Sequence, residues 1–422
     1  VYCRAAAPLS RLASPWADRI RRKKESGAKK NIKKQIEVFF ASTILLLQRT
    51  QSRARSKLPG TAPRQGTNEM EVISMTHRCK AAGLALGAAI AALTAPALAQ
   101  DLVISNWDGY MAPDAIDKFN AETGASAELV LHGTNEEIMG KLIASKGVGY
   151  DVVFVSSPFA EVLNNLGLAE TLDPAKLPNM ANLYTEAMQL PHDPGNTFSV
   201  PYAWGTTGLC YRSDLVDSPA SWNDLLRPSE DVAGKTTMLA TDRWLLAAGQ
   251  LALGYSVNET DADKMAEVRD LLIEAKGTLL AYDDTTFFAK LVSGEAEMVQ
   301  AWDGWCNYGI AENADIRYVI PSEGSDLWVD TMVILKASEN KDAAYAFLNY
   351  TLDADNHRWA AENILYKVPN EAAMAGIGED LIASYPNMGM VPADMMKFEQ
   401  LRDVGAAQRD YSRLVSEIKA AN

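Results

Sequence analysis

From Gln100 onward the sequence predicts an α/β protein of two packed lobes with largely parallel strands. Short apolar runs alternate there with amphipathic segments, βαβ fashion. No Gly/Ser-rich linker, sustained heptad or internal repeat interrupts them. The first 99 residues read differently and must be separated first.

From Met75 the chain runs MTHRCK, then an apolar stretch Ala81 to Pro96, then Ala97-Leu98-Ala99. A short basic start, an apolar core and small residues at a cleavage site form a secretory signal peptide over residues 75–99, with cleavage expected after Ala99. The apolar stretch is shorter than the ~20 residues that span a bilayer. Residues 1–74 begin with Val1, carry basic clusters such as Arg21-Arg22-Lys23-Lys24 and show no core pattern. A signal peptide works at an N-terminus, so this segment is expected to be a mis-assigned, disordered upstream stretch.

Beyond residue 99 the chain carries 22 basic and 49 acidic residues, a formal charge of −27. Such an excess argues against nucleic acid as a partner and attracts cations. Only Cys210 and Cys306 remain there; a bridge between them and two separate thiols both fit the spacing.

Strands are expected at Leu102–Ser105, Glu128–Leu131 and Asp151–Val155, with helices at Ala115–Glu122, Glu136–Ser145 and from Ser156 to near Gly167. In the second helix Ile138, Leu142 and Ile143 share one apolar face. A second set of strands follows at Gly208–Tyr211, Thr236–Leu239, Leu279–Tyr282, Met298–Ala301, Ile316–Ile320 and Trp328–Leu335. Helices are expected at Arg243–Leu253, Asp261–Ala275 and Phe287–Val292, and the chain from Asp342 onward is mainly helical.

Catalytic signatures are sparse. The remaining histidines, His132, His192 and His357, are not spaced as metal ligands, and no nucleophile-elbow, zinc-protease or phosphate-loop motif occurs, so neither enzyme nor metal or other cofactor is expected. The adjacent acids Glu136-Glu137 and Asp283-Asp284 read as solvated surface or helix caps. The tryptophans say more. Trp107, Trp204, Trp244, Trp302, Trp305 and Trp328 fall at strand ends, at a helix start or in neighbouring loops, where α/β folds place ligand crevices. Four have a carboxylate within two residues: Asp108, Asp242, Asp303 and Asp330. Aromatic faces attract ammonium groups and carboxylates offset their desolvation, so the pattern suits a small organic cation.

At these positions the sequence resembles the periplasmic spermidine/putrescine-binding proteins of bacterial ABC importers. Asn106-Trp107-Asp108-Gly109-Tyr110 is similar to the family's NW-x-x-Y segment, Tyr150-Asp151 with Ser156-Ser157 to its YD-strand-Ser segment, and Val200 to Gly208 to its crossover between lobes. Leu327-Trp328-Val329-Asp330 resembles the segment whose tryptophan stacks on the alkyl chain and whose aspartate binds an amino group. Tyr366 matches a pocket tyrosine, and Gln400 lies within one residue of a pocket glutamine.

The resemblance implies a type II periplasmic-binding-protein-like fold: lobe 1 from residues 100–205 and 330–373, lobe 2 from residues 206–329 and 374–422, with crossovers near Gly205, Val329 and after Asn370. It implies a periplasmic monomer that closes on a polyamine and engages an inner-membrane permease. The site residues it implies are Trp107, Asp108, Tyr110, Ser156, Asp242, Trp244, Trp302, Asp303, Trp328, Asp330, Tyr366 and Gln400. Two departures stand out. Thr241 and Trp244 occupy the places of a family Asp and Glu, and Trp305 stands where putrescine binders have an aspartate. Asp242 and Asp303 substitute by a short shift in one reading; in another, Arg243 holds a carboxylate, giving a carrier of a zwitterionic amine. A ligand-presenting sensor is the remaining alternative.

Overall fold

Eight short strands assemble around two longer ones that pass from one half of the molecule to the other. The structure, a computed structural model, describes residues 101–421. The upstream segment 1–74 and the signal peptide expected at 75–99 lie outside the described residues.

The strands are β1 (Asp101–Asn106), β2 (Ser126–Leu131), β3 (Val152–Ser156), β4 (Val200–Arg212), β5 (Thr236–Met238), β6 (Leu279–Tyr282), β7 (Met298–Trp302), β8 (Ile316–Val319), β9 (Asp326–Ile334) and β10 (Glu399–Gln400). Their order is β2-β1-β3-β9-β4-β7-β5-β6, with β10 beside β9 and β8 beside β4. Within each half the βαβ strands are parallel: β1 with β2 and β3, and β5 with β6 and β7. The connecting strands run antiparallel to β3, β7, β8 and each other, and β9 runs parallel to β10, so each half carries a mixed sheet. This follows from the path of the chain. β4 leaves the first half and β9 returns to it, so the two point in opposite senses where they pair.

β4 is longer than the Gly208–Tyr211 strand expected from sequence, because it serves both halves. Val200–Thr206 pairs with β9, Thr207–Tyr211 with β7 and Leu209–Arg212 with β8. All but the last of its residues are buried, as a strand covered on both faces requires. At its centre Gly205 has no room for a side chain: a Cβ there would stand 2.3 Å from Trp328 Cζ2 and 2.4 Å from Asp303 Oδ1.

Helix Asp303–Glu312, like the short helix Trp222–Leu226, has no counterpart in the sequence reading. Its two glycines lower helix propensity, yet Gly304 is sterically required, since a Cβ there would fall 2.5 Å from the Tyr366 ring. A disulfide between Cys210 on β4 and Cys306 on this helix ties it to the sheet, resolving the alternatives the spacing left open. The C-terminal helix Gln408–Ala420 packs against helices Ala262–Lys276 and Asp242–Ala252 through Tyr411, Leu414, Val415 and Ile418. Among the described residues no helix is long and apolar enough to cross a membrane.

Candidate functional site

A cavity of about 250 Å³ opens where the C-terminal ends of β1, β2, β3 and β7 and the loops that follow β5 and β6 converge on β9. Its floor is built by three strands. Ser156 ends β3 directly opposite Asp330 of β9, so the Ser156 hydroxyl donates to Asp330 Oδ1 at 2.6 Å. Tyr110, carried by the loop after β1, donates its hydroxyl to Asp330 Oδ2 at 2.7 Å. Asn135 fixes Ser156 in turn, accepting from its backbone N–H at 3.0 Å and donating to its Oγ at 3.1 Å. Burial pushes the Asp330 carboxyl up to about 6, against the pull of the Ser156 and Tyr110 hydrogen bonds. No lysine or arginine offsets that charge, so the carboxylate is oriented and lacks a counter-ion.

Aromatic rings form the walls. Trp107 meets Tyr110 edge-on at 5.4 Å, Tyr110 meets Tyr366 at 5.7 Å, and Tyr366 meets Trp328 at 5.3 Å. From the other half, Trp244 and Trp302 pack edge to face at 5.5 Å, and Trp305 lies against Phe287. Burial, with help from the Asp330 charge, raises the Tyr110 hydroxyl well above its ordinary value; Tyr366 is raised likewise, again chiefly by burial. Both therefore stay protonated donors.

Of the twelve site residues expected from sequence, nine line the cavity: Trp107, Asp108, Tyr110, Ser156, Trp244, Trp302, Trp328, Asp330 and Tyr366. The structure places the other three elsewhere. Asp303 is fully buried behind the wall and forms an ion pair with Lys367. Asp242 is not part of the lining and accepts from Ser412 Oγ at 3.0 Å. Gln400 is buried against His192, whose backbone N–H it takes at 3.1 Å and whose Nδ1 it meets at 2.8 Å. Arg243 does not line the cavity either. It is buried, donates to the carbonyl of Val257 at 3.2 Å and to Asn258 Oδ1 at 2.7 Å, and stacks its guanidinium over Tyr411. A ligand carboxylate is therefore not met by this arginine.

Sequence reasoning missed two acids. Glu136 and Asp284, read as surface or capping residues, both line the cavity, with Thr134, Asn135, Thr241, Thr285 and Trp305. Glu136 opens the helix after β2. Although its side chain is solvent-accessible, the surrounding protein raises its carboxyl above the ordinary value, and the carboxylates of Asp242 and Asp284 add to the shift. Asp284 follows β6 and holds the turn before helix Asp242–Ala252, accepting from Ala240 N at 2.6 Å and Thr241 Oγ1 at 2.9 Å. The available signal was position: each acid follows the C-terminal end of a strand. Among the described residues no cluster of His, Cys, Asp and Glu is arranged to hold a metal.

A two-lobed α/β fold with an aromatic, acid-lined cleft at the strand ends defines a class of ligand-capturing proteins, and the chain belongs to the bacterial extracellular solute-binding proteins, whose family model matches residues 114–389. Within that family its relatives are narrower in kind. It is 29% identical to the spermidine/putrescine-binding periplasmic protein of Salmonella typhimurium, over 82% of this chain and 98% of that one. It is 32% identical to the putrescine-binding periplasmic protein PotF of Escherichia coli, over 69% and 84%. Its fold superposes with a TM-score of 0.66 on the spermidine/putrescine ABC transporter substrate-binding protein PotD of Streptococcus pneumoniae, at 30% identity over 76% and 99% of the two chains.

Proposed function

We propose that this protein is a periplasmic carrier that captures a polyamine in its cleft and delivers it to an ABC permease. The observation that carries the reading is the cavity's lining. Seven aromatic side chains and four carboxylates face it, and no lysine, arginine or histidine does. Cation–π contacts contribute roughly 0.5–2 kcal/mol per ring, and the carboxylates offset the larger cost of removing water from an ammonium. The absence of a basic group in the lining favours a pure cation over a zwitterion. The relatives' names point the same way.

In this reading Asp330, preset by Tyr110 and Ser156, binds one ammonium, while Trp107, Trp302, Trp328 and Tyr366 enclose the alkylene chain. Asp108, Glu136 and Asp284 add negative potential. The lobes are residues 100–205 with 330–373, and residues 206–329 with 374–422. This division is supported by β4, which exchanges β9 for β7 as partner between Thr206 and Thr207, and by the packing of the C-terminal helix on the second half. The hinge runs through Gly205, and closure on the ligand gives the form that the permease engages. The leader at residues 75–99 exports the protein and is cleaved after Ala99.

Uptake of radiolabelled putrescine by cells with and without this gene tests the carrier role. Loss of high-affinity uptake on deletion is expected. Unchanged uptake, with purified protein that still binds putrescine, would reject the carrier in favour of a sensor.

A further inference from the structure

Immediately behind the aromatic wall lies a fifth carboxylate, buried and outside the cavity lining. Asp303 follows Trp302, which lines the cavity, and begins helix Asp303–Glu312. Its Oδ1 and the Cζ2 of Trp328 converge on the same point above Gly205, 2.4 Å and 2.3 Å from where a Cβ would stand. Its neighbour Gly304 abuts the ring of Tyr366 just as closely. Asp303 thus follows Trp302 in the chain and converges with Trp328, while its neighbour Gly304 meets Tyr366.

A carboxylate so placed, fully buried, needs a positive partner. Thr206 offers its N–H at 3.3 Å and Gly304 its N–H to Oδ1 at 2.9 Å, and neither carries charge. The cation comes from Lys367, whose ammonium binds Asp303 Oδ2 and is itself buried. Lys367 follows Tyr366 in the chain, and its carbonyl accepts from Trp204 N at 3.1 Å on the crossing strand. Its backbone is therefore anchored to β4 while its side chain reaches under the wall.

We propose that Lys367 is a specificity-determining residue: its tethered ammonium occupies Asp303, withdraws one cation position from the site, and sets a preference for a linear diamine over a triamine. The inference rests on the polyamine reading above. Once Asp303 is neutralised, the carboxylates left to a ligand are the partly buried Asp330 and Asp284 and the exposed Asp108 and Glu136. An additional buried ammonium would have to compete with Lys367, which loses no translational freedom when it binds and so holds a high effective concentration at Asp303.

The test is calorimetric titration of putrescine and spermidine into the wild type, Lys367→Met and the double variant Asp303→Asn/Lys367→Met. The wild type is expected to bind putrescine more tightly. Lys367→Met frees Asp303 and shifts the putrescine-to-spermidine affinity ratio toward spermidine by about tenfold or more. The double variant, in which neither charge remains, returns to the wild-type ratio. An unchanged ratio in Lys367→Met, or a wild type that prefers spermidine, overturns the proposal. Should Lys367→Met fail to fold, Asp303→Asn alone decides. It leaves the Lys367 charge uncompensated behind the wall and should weaken both amines by about tenfold; unaltered affinities overturn the proposal. A wild type that binds neither amine is a different failure, that of the polyamine reading itself.

Discussion

Replacing Asp330 with asparagine removes one negative charge from the cavity floor and keeps the side chain's size. In the native protein both carboxylate oxygens accept hydroxyl hydrogen bonds, from Ser156 at 2.6 Å and Tyr110 at 2.7 Å, and no basic group lines the cavity. An ammonium bound at this carboxylate gains a charge-assisted hydrogen bond of about 1.5–3 kcal/mol over its solvated state. The neutral amide cannot supply it, so putrescine affinity at pH 7.5 should fall roughly 10- to 150-fold, measured by calorimetry. A second signature comes from protonation. Burial raises the free Asp330 carboxyl to about 6, and a bound ammonium favours its ionised form. Below pH 6 a proton must leave on binding, so wild-type affinity should drop by up to tenfold per pH unit. In Asp330→Asn the slope should shrink by about one logarithmic unit per pH unit. An affinity within twofold of wild type, or an unaltered slope, would refute the assignment of Asp330 as the ammonium's partner.

Other perturbations have defined outcomes. Burial pushes the Asp326 carboxyl up to about 7, opposed by nearby Thr207, Arg243 and Trp244. A native value above the unfolded one means that its stabilising contribution is full below about pH 4 and lost as pH rises through 7. The unfolding free energy of Asp326→Asn relative to wild type should therefore improve by roughly 1.4 kcal/mol per pH unit between pH 5 and 7 in urea titrations. Reduction of Cys210–Cys306, which closes a separation of 96 residues, should lower the unfolding free energy by roughly 3–5 kcal/mol. Putrescine affinity should stay within twofold, since neither cysteine lines the cavity. Gly205→Ala forces a methyl into Trp328 and Asp303 and should cost roughly 1–3 kcal/mol of stability. It should also weaken putrescine binding, because the indole that must move is part of the wall.

The parts of the site legible in sequence share a physical origin. Trp107, Tyr110, Ser156 and Trp302 sit at or just beyond the C-terminal ends of strands, where alternation and chain direction already dictate a crevice. Trp328 and Asp330 were reached as one of the tryptophan–carboxylate pairs, whereas Tyr110, Ser156 and Tyr366 were assigned to the site through motif similarity. What could not be read depends on distant partners. Asp303 looks like a ligand acid until Lys367, 64 residues away, is seen to hold it. Gln400 is committed to a histidine 208 residues distant and Asp242 to a serine 170 residues distant. Asp284 was read as surface or a helix cap, yet it caps no helix: it holds the Ala240–Thr241 turn, 43 residues away in the chain, and faces the cavity, a placement that local pattern does not show. Helix Asp303–Glu312 escaped because Gly304 answers to the ring of Tyr366, a tertiary demand that overrides propensity. The mixed direction of the sheets is equally a property of the crossing strands, which a strand-by-strand reading takes as ordinary members of a parallel set.

Calorimetric titration of the purified protein with putrescine, and with glutamate as an anionic control, tests most directly whether the cleft is an organic-cation site. The geometry predicts one-to-one putrescine binding and no heat with glutamate. Binding of glutamate with silence toward putrescine would contradict the account at its centre.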